Sequence, residues 1–134
     1  IPDLSIAVPR RPYPVYWVGD SFDGFRLAGV SEPRGRVSFD YRRCVAGRCH
    51  ASLRIRTVPA CRVQSADVVA PTGLGRIRGV PAGRRGGALV LFTGRAQVRI
   101  LGAPSLARRV AAALLAAPTP ALGGDIHSPL PRPV

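Results

Sequence analysis

Three cysteines are the most reactive side chains in this sequence, and their spacing narrows what they can do. Cys44 and Cys49 bracket a short glycine-containing segment, and Cys61 follows Pro59-Ala60. A Cys44–Cys49 bridge would clip a hairpin shut, and the chain-entropy model gives at most about 2–3 kcal/mol for so short a loop. That matters to a domain whose total stability is typically about 5–15 kcal/mol. A bridge from Cys61 to either of the others is also open, because spacing alone does not fix pairing. Zinc is the alternative, with Cys44, Cys49, His50 and Cys61 as candidate ligands. The usual second close pair is missing, however, and adjacent Cys49 and His50 in an extended segment point apart. The expectation is a disulfide, ahead of three free buried thiols and then of zinc, with no metal and no cofactor.

Charge is the other chemical signal. All 20 basic residues are arginine, the acids number 7, and the formal net charge is +13. Such a field attracts phosphates, anionic lipid or acidic polymers. Planar forked guanidinium donors suit phosphate better than a lysine point charge. Arg36, Arg54, Arg56, Arg76, Arg78, Arg95 and Arg99 fall at outward positions of predicted strands and are the candidate anion-binding residues. The competing explanation is compositional: Lys, Asn and Met are absent while Gly and Pro abound. In a GC-rich coding background Arg covers solvated faces because Lys is unavailable.

Catalytic groups are thinly supplied. Gly19-Asp20-Ser21 with Gly24 behind it resembles the first block of GDSL-type serine hydrolases, and Asp125-Ile126-His127 mimics their closing element one residue short. The resemblance would make Ser21 the nucleophile. That family also needs an asparagine in its oxyanion hole and a parallel sheet with several crossover helices. This chain has no asparagine and one predicted helix, and His127 sits in a proline-rich tail. Asp20 and Asp23 lack the further spaced oxygens of a calcium loop, and without lysine no Walker-type phosphate loop exists. No catalytic residue is assigned.

Periodicity defines the elements that must position these groups. Val37, Phe39 and Tyr41 alternate with Arg36, Ser38, Asp40 and Arg42; Leu53, Ile55 and Thr57 alternate with Ser52, Arg54 and Arg56. The two runs predict an antiparallel hairpin joined by a loop over 43–48. Leu89–Thr93 and Ala96–Leu101 predict a second hairpin around Thr93-Gly94-Arg95. Residues 14–18 predict a first strand, 19–24 a turn, 25–30 a short strand, 76–78 another, and 81–87 a glycine-rich connection. Leu106, Val110, Ala113, Leu114 and Ala117 lie on one face of a helix started by Pro104-Ser105 and stopped by Pro118.

At 134 residues and 46% hydrophobic the chain supports one domain. The expected organisation is a Pro/Arg-rich leader over 1–13, a β-rich domain over 14–117 and a flexible Pro-rich tail over 118–134. The expected fold class is α+β. A mainly antiparallel sheet of about six strands carries one C-terminal amphipathic helix on one face, and its other face is rich in arginine turned to water. The aromatics Tyr13, Tyr16, Trp17, Phe22 and Phe25 predict a satellite core, with Tyr16 and Trp17 the candidate contact surface if part of it is exposed. No apolar run reaches the roughly 18–20 residues of a transmembrane helix.

Val15-Tyr16-Trp17-Val18-Gly19 with Phe25, Thr57-Val58-Pro59-Ala60-Cys61, and Leu91-Phe92-Thr93-Gly94-Arg95 leading into Val98-Arg99-Ile100-Leu101-Gly102 and a helix resemble small exported proteins of high-GC bacteria. The resemblance implies export and the strand–strand–helix ending, and it supplies no catalytic residue. Disulfides point the same way, toward the cell exterior or envelope. The sequence therefore favours a non-enzymatic exported or cell-envelope module with a binding or structural role. The sequence assigns no partner; an anionic polymer or an envelope component is the candidate. The rivals are an arginine-mediated binder of nucleic acid or another polyanion, and a GDSL-like hydrolase.

Overall fold

A computed structural model describes residues 14–32, 36–59, 75–93 and 96–117. The order is β1 (Tyr16–Trp17), β2 (Ser21–Phe22), β3 (Phe25–Ser31), β4 (Val37–Val45), β5 (Arg48–Pro59), β6 (Arg76–Ile77), β7 (Val80–Arg85), β8 (Ala88–Phe92), β9 (Ala96–Leu101), α1 (Pro104–Ala113) and β10 (Leu115–Ala116). Eight strands form one sheet in the order β2-β3-β4-β5-β9-β8-β7-β6, and β1 pairs with β10 in a separate ribbon. Every pairing is antiparallel. The mainly antiparallel sheet with one helix is as the periodicity implies, but the described residues form ten strands rather than about six.

Two of the additional strands, β2 and β7, come from turns tighter than composition suggests. Asp23-Gly24, Ala46-Gly47, Arg78-Gly79 and Gly86-Gly87 each have both residues at positive φ, between 51° and 85°. This is the two-residue turn whose twist matches that of the strands it joins. The predicted loop over 43–48 therefore shrinks to Ala46-Gly47, and pairing runs on through Cys44↔Cys49 to Val45↔Arg48. The predicted turn over 19–24 contains β2, and the predicted connection over 81–87 is mostly β7. Glycine at the second position makes the geometry accessible, whereas Ala46 at φ 53° carries strain of about 1 kcal/mol.

The hairpin register matches the alternation, with Val37↔Thr57, Phe39↔Ile55 and Tyr41↔Leu53. These inward residues form the core together with Val98, Ile100, Leu89, Leu91 and Ala82. Leu106, Ala107, Val110 and Ala111 of α1, then Leu114, Val15 and Tyr16, close over them. The helix ends at Ala113, earlier than the periodicity implies, because Leu114 turns to ψ 136° and leads into β10. Leu114 and Ala117 stay buried nonetheless. Tyr16 and Phe25 belong to this one core and not to a satellite.

Two polar groups hold the layers together. The Tyr41 hydroxyl donates to the Gly19 carbonyl at 2.8 Å and accepts from the Val18 amide at 3.2 Å. Burial raises the Tyr41 pKa beyond the usual phenol range. A raised folded-state pKa means that this phenol's contribution is complete below the unfolded value of about 10 and is lost as pH rises above it. Spectrophotometric titration should show Tyr41 ionising only together with alkaline unfolding; free titration near pH 10 in the folded protein would contradict the buried placement.

Arg78 does not lie at an outward strand position. It occupies the β6–β7 turn at φ 53°, and its Nη1 donates to the carbonyls of Leu114 at 2.7 Å and Ala111 at 3.2 Å. A cation there satisfies the terminal carbonyls of α1 and complements its dipole. Arg78→Ala should cost about 2 kcal/mol in a urea melt. Arg78→Gly should cost about 1 kcal/mol less, because glycine relieves the left-handed backbone. Equal losses would show that the turn carries no strain.

Candidate basic face

The outward positions of β3, β4, β5 and β9 line up in register. Arg26 is directly opposite Arg42, Asp40 opposite Arg54, Ser38 opposite Arg56, and Arg56 opposite Arg99. Arg36, immediately before β4, shares this face by alternation. The sheet thus gathers Arg36, Arg54, Arg56 and Arg99 and adds Arg26 and Arg42 to them. Arg42 stands in the outward alternation of its own strand. Arg26 needs the register across β3, which no short-range pattern reveals.

One carboxylate works within this stripe: Arg54 Nε donates to Asp40 Oδ1 at 2.7 Å. Both side chains are substantially exposed, so this pair adds about 0–1 kcal/mol to stability. Arg56 is half-buried, and its Nε is shielded from solvent with no hydrogen-bond partner. Burial first, then the neighbouring charges of Arg54 and Arg36, hold its guanidinium below the usual range, with Asp40 acting the other way. Arg99 Nε donates to the Gln97 side-chain oxygen.

The face is less open than alternation suggests. Arg36, Arg56 and Arg99 are half-buried, and Ser38, Val58, Gln97 and Val90 at outward register positions are buried. Apolar Val58 and Val90 mark the closed part; Arg26, Arg42, Ser52 and Arg54 mark the exposed part. The other candidates separate from the stripe. Arg76 is exposed on β6 at the far edge of the sheet, donating to Gly79 O at 2.7 Å. Arg78 caps the helix, and Arg95 lies outside the described residues.

The two contact-surface candidates are not exposed. Tyr16 is 1% accessible, with its amide donating to Thr57 Oγ1 at 3.2 Å. Trp17 is half-buried, its ring 5.8 Å from that of Phe39. Strand alternation sends Tyr16 into the core, and Phe39 takes up the indole on the other side.

Cys44 and Cys49 are bridged, their sulfurs 2.02 Å apart at the exposed end of the β4–β5 hairpin. Neither is then a free thiolate for zinc, and Cys61 lies outside the described residues. Among the described residues no cluster of His, Cys, Asp and Glu could hold a metal ion. Ser21 is exposed in β2, opposite Arg26; Asp125 and His127 lie outside the described residues.

Asp23 is a separate electrostatic hub. Its carboxylate receives Arg109 of α1 and lies 3.7 Å from Arg43. Arg43 also donates to the Asp23 carbonyl and stacks on the Phe25 ring at 4.5 Å. These contacts tie the helix to the β2–β3 turn and the base of the hairpin arm. Among the described residues no helix is long and apolar enough to cross a membrane. No protein-family model, curated protein or solved structure matches the chain.

Proposed function

We propose that this chain is a non-enzymatic binding module of the cell exterior or envelope that holds an anionic polymer against the basic face of its sheet. The observation that carries this reading is the register: two pairs of arginines, Arg26 with Arg42 and Arg56 with Arg99, directly oppose one another. Like charges in that position repel, and among the described residues Asp40 is the one carboxylate that the paired strands place between them. A ligand with closely spaced negative groups relieves the repulsion between Arg26 and Arg42, and guanidinium forks fit phosphate, sulfate or carboxylate oxygens.

Binding of single-stranded nucleic acid is less well supported. Such binders interleave exposed aromatics with their charge, whereas Phe39 and Tyr41 are fully buried on the opposite face. The Cys44–Cys49 bridge supports an oxidising compartment, in line with the resemblance to small exported proteins. Retention on immobilised heparin, eluted with a salt gradient, tests the reading. Strong retention that falls steeply with salt is expected; elution in the void volume at low salt would refute it.

A further inference from the structure

We propose that the tip of the β4–β5 hairpin is a membrane-contact point that enters the headgroup region of an anionic bilayer. This rests on the basic-face reading and names its polyanion as a phospholipid surface. The arm extends beyond the core: residues 42–45 of β4 and Arg48 and Cys49 of β5 are all exposed. At its end stands Val45, 63% accessible and one of two exposed large hydrophobic residues among those described. Water gives such a side chain no favourable partner.

Cations stand beside it and behind it. Arg48 is the cross-strand partner of Val45, Arg42 lies three residues back, and Arg26 is opposite Arg42. No ion pair engages these three among the described residues. Val45 and Arg48 therefore share the tip, and Arg42 and Arg26 lead from it to the basic face of the sheet. An anionic bilayer presents matching chemistry, an acyl boundary for the valine and phosphates for the guanidiniums around it.

The disulfide fixes this arrangement. By bridging directly opposed residues it holds the two-residue turn and presents Val45 in one geometry, which lowers the ordering cost of contact. Among the described side chains, the aromatic ring nearest the arm, Phe25, is already covered by Arg43 and is not open to base stacking. An exposed valine also has no role in gripping a nucleic-acid backbone. Lipid is the favoured occupant on both counts.

Co-sedimentation with vesicles of about three parts phosphatidylcholine to one part phosphatidylserine, against pure phosphatidylcholine, tests the proposal at roughly physiological salt. The wild-type chain should pellet with the anionic vesicles only. Val45→Asp should weaken this by at least about tenfold while leaving heparin retention unchanged, since the side chain is remote from the central stripe. Val45→Leu should strengthen vesicle binding. Circular dichroism on each variant reports the fold, which an exposed position should not disturb. Heparin retention without vesicle binding, or vesicle binding indifferent to Val45→Asp, would overturn the membrane proposal and leave the basic-face reading standing. Retention on neither would sink both.

Discussion

Phe39→Ala is expected to lower the unfolding free energy by about 3–5 kcal/mol, a large share of the roughly 5–15 kcal/mol that holds a typical domain together. Phe39 is fully buried in β4, between Val30 of β3 and Ile55 of β5. Its ring also carries the face against which Trp17 packs. Truncation leaves a cavity that the sheet cannot close, because pairing on both sides fixes the β4 backbone. Trp17 is the only tryptophan, so its emission reports the site directly. The variant should show a red shift in native buffer and a lower urea midpoint. Phe39→Leu should cost about 1 kcal/mol with little spectral change. A loss below about 1 kcal/mol for the alanine variant would mean that the ring is not a core residue.

The double variant Arg54→Ala/Arg56→Ala should reduce affinity for a polyanion about thirtyfold, from roughly 1 kcal/mol per arginine held near an anionic surface. The slope of log affinity against log salt should become shallower by nearly two. Stability should hold or rise slightly. Arg56 carries a partly desolvated charge beside two other guanidiniums, and the Arg54–Asp40 pair is exposed. Position, and not total charge, is decisive. Arg76→Ala removes an exposed arginine from the opposite edge of the sheet and should change affinity by less than about twofold. Equal losses from Arg76→Ala and Arg54→Ala would show that only net charge acts.

Strict alternation makes β4, β5 and β9 legible in the sequence. Phe39, Ile55 and Val98 each sit between polar or charged neighbours, and one face of each strand must be dry. The turns are harder to place. Asp23-Gly24 and Gly86-Gly87 are two residues long, and composition alone smears them over 19–24 and 81–87, erasing β2 and β7. Strand β7 is hidden by Pro81 and Gly83, which are poor strand formers that pairing with β8 overrides.

The basic face is legible only within single strands. Arg54 and Arg56 stand out by alternation. That Arg56 faces Arg99 depends on β5 lying beside β9, a pairing across roughly forty residues that no local signal encodes. Arg78 escapes for a related reason: the triplet Arg76-Ile77-Arg78 looks like strand, but the left-handed turn begins at its last residue. Among the open cysteine pairings, Cys44–Cys49 has the shortest interval, and a shorter interval closes more readily.

The ribbon of β1 and β10 joins Tyr16 to Ala116 and Val15 to Ala117, so the beginning of the described chain is fastened by its end. A polypeptide emerging from the ribosome, or threading through a translocation pore from its N-terminus, can zip up each hairpin as it appears. It cannot cover its oily side until the last few of these residues arrive. Nascent molecules therefore stay open, and sticky, until β10 emerges, and the fastening of β1 comes as one late event.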